Sequence, residues 1–434
     1  MVLNEYEEFR EYYDRYHEAM SEPQVGELIE SARRDMRRVK AEDKFFFTPR
    51  FLPEGLICDQ LRRCEKTIEV VNRILSENRE GEKTPLSDII PRRRQYNVPM
   101  ADMYEKAVEL VDPGFPSVME SRIDGCILPD HSLVSYEINA NRAGWENSRS
   151  FCDIYNRYLS GLLPAGSRTV DFADGWEKII KHVLRKTGGK KAVYLTEQTG
   201  KESVMALRER GIDIDFMRFQ DLPALMESGE VSITKDDFCF RGEKVDLVCR
   251  FLRTHQVLEV PQLCECVKAG NVRLINQMDA FFGGIKTLLI KLSDADALSP
   301  YAKPEEIITI PKSEFLRDTA TSDLSERKDR CVLKFGNRGG GKAVFFGIDL
   351  QKLEWQELLD NSRKRYPETA MVQDFVEPSL TPVFDSGGIS LMNATCDVFV
   401  FAPGREEAGG VFSRCSFENL VNFKTGGIKQ TVFV

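Results

Sequence analysis

Apolar residues recur at helical spacing through the first part of the chain. In DQLRRCEKTIEVVNRILSEN, Leu61, Cys64, Ile68, Val71 and Leu75 share one helical face, and residues 1–110 read as mostly helical. EGEKTPLSDIIPRRR breaks that pattern with polar residues and prolines; Arg92, Arg93 and Arg94 read as a solvated face. From about residue 118 the period shortens to two. VMESRIDGCIL and SLVSYEINANRAG read as strands and SFCDIYNRYLSGLL as a helix. Pro164–Gly166 marks a boundary.

Residues 168–285 alternate. KKAVYLT, IDIDFMRF, KVDLVCRFL and NVRLINQ read as strands. KESVMALRERG and VPQLCECVKAG read as helices closed by Gly211 and Gly270. That order predicts a mainly parallel α/β layer. GGIKTLLIKLSDADAL reads as a helix carrying Lys286. Beyond residue 330, CVLKF, AVFFG, AMVQDFVEP, CDVFVFA and GGVFSRCSF read as strands around a helix at 353–363. Hairpin-connected strands of this kind predict an antiparallel sheet with a flanking helix, so the fold class is α/β (α+β).

The glycine run in VLKFGNRGGGKAVFFG sharpens the picture. GNRGGGK fits the first seven positions of the phosphate-loop pattern GxxxxGK[ST], but Ala343 stands where that pattern needs a hydroxyl for Mg²⁺. A phosphate loop also opens a helix, whereas AVFFG reads as a strand. The stretch is therefore a glycine hairpin. It either lays backbone N–H groups over a phosphate chain or turns the chain at the surface with glycines in left-handed conformations.

Four other patterns carry candidate chemistry. In Tyr136-Glu137-Ile138-Asn139, residues two apart share a strand face. Glu137 and Asn139 would present a carboxylate and an amide oxygen suited to Mg²⁺, or a plain polar face to water. In Ser121-Arg122-Ile123-Asp124, Arg122 suits a bidentate grip on a carboxylate, with Asp124 orienting it or binding an amine; a cross-strand ion pair is the other reading. Lys334 ends a strand just before the glycines and Lys286 follows a Gly-Gly pair, so both could reach phosphates, or both could face solvent. Met371–Glu377 passes from apolar strand to polar hinge. There the backbone at Gln373, Asp374, Phe375 and Val376 could meet an adenine edge, or the strand is simply core.

Composition narrows the classes. With 60 Lys and Arg against 69 Asp and Glu, the net charge of −9 argues against nucleic acid as the main partner. No run of about 18 apolar residues predicts a membrane span, and the acidic, aromatic start is not a secretory signal. The 11 cysteines are scattered, many within apolar runs, as suits buried thiols in a reducing cytoplasm. Cys264 and Cys266 lack the spacing of a zinc site.

Taken in order, SRID, YEIN, an α/β insertion, GGIKTLLIKLSD, VLKFGNRGGG and the strand hinge resemble the eukaryotic-type glutathione synthetases and the glutathionylspermidine-synthase-like proteins. Both are circularly permuted ATP-grasp ligases. The resemblance runs from about residue 118 to the C-terminus. After the helical N-terminal region (1–115) read from periodicity, it implies part of an ATP-grasp core with the metal strand (116–166), an α/β substrate-binding domain (167–285) and a nucleotide-binding lobe (286–434). It implies ATP and Mg²⁺ as cofactors, with a metal on Glu137 and Asn139. Nucleotide would lie on Lys286, Lys334, a lid of Gly339, Gly340, Gly341 and Lys342, and the hinge Gln373–Val376. Arg122, Asp124, Arg250 and Arg414 would hold the carboxylate or the transferring phosphoryl group.

The implied activity is an ADP-forming carboxylate–amine ligase. Its partners would be a small-molecule or peptide carboxylate and an amine, with no nucleic acid and no membrane, and a homodimer is left open. This chain departs from the family at Arg338, where a metal-binding Glu stands; Asn337 or Asp397 would substitute. It departs again at Ser416, where a Lys stands; Lys424, in the Gly-Gly loop of NFKTGG near the C-terminus, would compensate. Those departures keep open a nucleotide-binding scaffold without turnover, and the fold admits a phosphotransferase or a carboxylate–thiol ligase.

Overall fold

The computed structural model describes residues 5–20, 22, 24–38, 48–87, 89, 98–141, 145–163, 167–169, 172–197, 200–336, 343–385, 388–401, 409–419, 421 and 428–433. Among them the strands form four sheets in a mixed α/β fold.

The main sheet runs in the order Arg50–Phe51, Ile428–Phe433, Gly409–Ser416, Gly388–Phe401, Glu120–Ile127 and Leu133–Asn139. It is antiparallel except where Arg50–Phe51 lies parallel to the last strand. The 14-residue strand Gly388–Phe401 spans two regimes: its first half pairs with Ser379–Asp385, its second with Glu120–Ile127. Alternation assigns the faces. Ile123, Ile138, Cys396, Val398 and Val411 point one way and pack on Leu61, Cys64, Ile68 and Val71 of the helix Glu54–Arg79. The helical stripe and the strand stripe thus form one core. The opposite face carries Phe399, Phe401 and Phe412, packed with Trp176 and Tyr155 from the helices Phe172–Thr187 and Trp145–Tyr158. The same face carries a row of charges.

The parallel layer expected over 168–285 is present, ordered Arg273–Ile275, Leu247–Phe251, Ala192–Thr196 and Ile214–Arg218. A small antiparallel sheet of Val231–Ile233, Phe238–Phe240 and Glu243–Lys244 is inserted there. The second large antiparallel sheet runs Ser313–Phe315, Ala370–Asp374, Cys331–Phe335 and Val344–Phe346. The flanking helix Lys352–Arg365 buries Trp355 and Leu359 against it.

Two expectations need correction. GGIKTLLIKLSDADAL is not one helix. It breaks into Ala280–Gly283, Leu288–Leu292 and Ala295–Leu298, and Lys286 lies in the turn between the first two. The cause is close approach: a Cβ on Gly284 would sit 2.9 Å from the Ala140 nitrogen and 3.0 Å from the Ile138 oxygen. The chain is pressed against the Glu137 strand and cannot also continue a helix. The strands Ser379–Asp385 and Ile428–Phe433 were not anticipated; they follow hinge and loop segments whose polar residues hide the alternation.

Arg50 ties the N-terminal segment to this sheet. It is fully buried and ion-paired with Glu5, its Nε donating to Glu5 Oε2 at 2.9 Å. It also donates to the Thr395 carbonyl at 2.6 Å, Ser413 Oγ at 3.1 Å and Ser379 Oγ at 2.8 Å. No two of the 11 cysteines form a disulfide. Among the described residues no helix is long and apolar enough to cross a membrane.

Candidate active site

The charged edge of the main sheet faces the second antiparallel sheet across a cleft. Its polar wall holds Asp124, Glu137, Lys286, Lys334, Gln373 and Arg414. Its apolar wall holds Val332, Val344, Phe346, Phe375, Val376 and Pro378. Phe346 and Phe375 meet edge to face, with centroids 5.5 Å apart.

Strand alternation delivers each of these polar side chains except Lys286, which comes from a turn. Arg122 and Asp124 lie on one face, and Asn139 and Glu137 oppose them in register on the next strand. The register shifts between Asp124 and Gly125, a bulge that demands glycine because a Cβ there would meet the Val134 oxygen at 2.5 Å. Lys286 Nζ donates to Glu137 Oε1 at 2.6 Å. Lys334, buried mid-cleft, donates to Gln373 Oε1 at 2.6 Å and to the Tyr136 carbonyl at 3.1 Å. Gln373 passes the connection on to Ser313 Oγ at 3.0 Å. One chain of hydrogen bonds thus joins the two sheets.

Electrostatics follow from burial. Burial pulls the Lys334 ammonium down to about 7, against the attraction of Glu137, and Lys286 adds to the depression. Burial alone would raise the Glu137 carboxyl, but Lys286 first and Lys334 after it hold it below its usual range. Asp124 behaves alike, held down against burial by Arg122 and Arg414. Arg122 grips Asp124 with two nitrogens, at 2.6 and 2.9 Å. Arg414 Nη2 bridges Asp124 Oδ2 at 3.0 Å and Asp397 Oδ1 at 2.6 Å. Burial raises the Asp397 carboxyl in spite of Arg414.

Arg122, Asp124, Glu137, Lys286, Lys334, Arg414 and the hinge Gln373–Val376 therefore gather in or beside one cleft. Asn139 shares the face, in register with Arg122. The Arg122–Asp124 pair lies within one strand rather than between strands. Arg250 is elsewhere. Its guanidinium donates to the carbonyls of Asn276, Leu252 and Gln277 at 2.5, 3.0 and 2.5 Å, and burial lowers it to about 10. It braces Asn276, whose amide bonds Met119, Glu120 and Ala140 and so joins the ends of the two site strands. In the hinge, the N–H groups of Asp374 and Phe375 are already donated to Lys312 and Arg330 at 2.9 Å each. Asn337, Arg338, Gly339, Gly340, Gly341, Lys342 and Lys424 lie outside the described residues.

Lys429 was not singled out from the sequence. It stands opposite Arg414 in the last strand, on the charged face and buried. The alternation of IKQTVF is the signal that marks it. Tyr136 and Thr395 also line the cleft unannounced.

Among the described residues no three His, Cys, Asp or Glu side chains gather as a metal-binding group. Mg²⁺ needs no such cage: one or two protein oxygens suffice when phosphates and water fill the rest. Glu137 with Asn139 fits that requirement. The buried Asn139 Nδ2 has no partner, so nothing fixes its amide against presenting the oxygen.

No protein-family profile matches the chain, and no curated protein matches it. A solved structure described as a RimK domain protein ATP-grasp, from Sphaerobacter thermophilus DSM 20745, is 13% identical. The match covers 55% of this chain and 89% of that one, at a TM-score of 0.27. A likeness that weak carries no argument about fold or chemistry.

Proposed function

We propose that this protein is an ATP-dependent carboxylate–amine ligase of the ATP-grasp kind. The observation that carries the reading is the cleft between two antiparallel sheets in which Lys286, Lys334 and Glu137 converge beside an apolar wall. A purine fits the apolar side, near Val376, whose neighbours' N–H groups are already spent. Lys286 and Lys334 set positive charge along the phosphates. Glu137 and Asn139 would hold Mg²⁺, which neutralises phosphate charge when bound. Arg122 and Arg414 draw the acceptor carboxylate in line with the terminal phosphoryl group.

The carboxylate oxygen takes that phosphoryl group and ADP leaves. The amine nitrogen then attacks the acyl carbon, phosphate departs, and the nitrogen loses a proton to give the amide. Protein groups act here by positioning, charge neutralisation and exclusion of water. The test is ADP and phosphate release with Mg²⁺–ATP against amino acids, γ-glutamyl compounds and polyamines, with product masses read from the same reactions. Release that needs an acid–amine pair, with a product one water lighter than the pair, supports the ligase. Nucleotide binding without release in any well favours a scaffold, and no nucleotide binding removes the reading.

A further inference from the structure

The hairpin that carries Arg122, Asp124, Glu137 and Asn139 is closed at one end by its own turn, where the Leu128 N–H donates to the Ser132 carbonyl at 2.9 Å. The other end is open. The last pair in register there is Arg122 with Asn139, and Glu120 and Ala140 lie just past it. The side chain of Asn276 stands between the two strands at that open end, 1% exposed. Its Oδ1 accepts from the N–H groups of Met119 and Glu120, at 2.7 Å each. Its Nδ2 donates to the carbonyls of Glu120 at 2.6 Å and Ala140 at 2.8 Å. A carboxamide offers two N–H donors and two acceptor lone pairs, and all of them are used. Backbone peptides offer the same groups, so the Asn276 side chain serves as one more rung of the ladder. The rung is anchored in the parallel layer. Arg250 holds the carbonyls of Asn276 and Gln277 at 2.5 Å each, and the Gln277 amide binds the backbone of Asp112, Phe115 and Pro116.

We propose that Asn276 is a positioning residue for the Mg²⁺ pair: its carboxamide sets the spacing of the two strands where Glu137 and Asn139 face Asp124 and Arg122, and with it the oxygens offered to the metal. This deepens the ligase reading and rests on it. Asn139 depends on the rung most. Its Nδ2 has no partner, so the strand it stands on places its amide, and that strand is held by Asn276 at the very next residue. Glu137 has a second anchor in Lys286. The groups that would hold the nucleotide itself come from other elements: Lys286 from a turn, Lys334 and the apolar wall from the second antiparallel sheet and its hinge. Loosening the rung should therefore weaken metal-dependent binding and spare metal-free binding.

The test is titration of the full chain with a non-hydrolysable ATP analogue, once in excess Mg²⁺ and once in a chelator. Asn276→Asp keeps the size of the side chain but sets a carboxylate against two carbonyls. It should bind the Mg²⁺-loaded analogue about tenfold more weakly or worse, the loss typical when an outer partner of a metal ligand is removed, and bind the metal-free analogue as the wild type does. Arg250→Lys loosens the Asn276 backbone without touching its amide and should show the same split in smaller measure. Leu207→Ala opens a cavity in the core of the parallel layer and, having no bond to the site strands, should show no split. Circular dichroism checks that each variant folds; should Asn276→Asp fail to fold, Arg250→Lys decides. Equal weakening with and without Mg²⁺, no weakening in either, or a split of the same size in Leu207→Ala overturns this inference and leaves the ligase reading standing. No analogue binding by the wild type overturns both.

Discussion

Glu137 and the two lysines around it show how single side chains set the chemistry of this cleft. Glu137→Gln keeps the shape but removes the charge that pairs with Lys286. Under the proposed function, ADP release in the presence of the acid–amine pair should fall about 100-fold or more. Lys334 gives a pH prediction. Its unfolded value is 10.5 and its folded value about 7. Between those values the unfolded chain holds a proton that the folded protein lacks, so stability rises with pH across that window. Below about 7 both states hold the proton and the whole penalty is present. The slope of melting temperature against pH should therefore be smaller in Lys334→Met than in the wild type. At this scale the sequence exposed residues that repeat every second position, such as Glu137 with Asn139. It did not expose Lys429, whose meaning depends on standing opposite Arg414. It also misdirected attention to Arg250, because an arginine in an apolar strand looks functional until its three carbonyl partners are seen.

Elements were legible wherever one periodicity ruled. The parallel layer follows from strands alternating with helices, and the strand CVLKF from its apolar run and flanking glycine. The break at Lys286 was hidden because Ile285, Leu288, Leu289 and Leu292 keep a helical rhythm across it, and all four are buried. What stops the helix is backbone contact with a strand some 145 residues earlier, between Gly284 and Ala140. Gly284→Ala should cost about 1–3 kcal/mol, read from the urea midpoint. It should also shift Lys286 from Glu137, lowering turnover by more than the stability loss explains.

The whole molecule depends on joints made far apart in sequence. Glu5 and Arg50 form a fully buried pair beneath the strands that carry Asp397 and Arg414. Glu5→Leu strands a buried guanidinium and should destabilise by about 3–5 kcal/mol, whereas Glu5→Leu with Arg50→Met should recover much of that loss. Denaturant unfolding of the two variants distinguishes these outcomes. A second joint runs through Asn276, which fastens the parallel layer to the ends of both site strands. None of these joints has a local signature. Each exists only once the sheet order is known, and so neither could be read along the chain.

The pairing of Arg50–Phe51 with Val432–Phe433 also orders events on the ribosome. The main sheet cannot close until residues near position 433 have emerged. At roughly 5–20 residues per second, tens of seconds pass after Phe51 is made. Through that interval the early helices wait with their apolar stripes uncovered, and nascent chains halted before the last strand would be the species most in need of a chaperone.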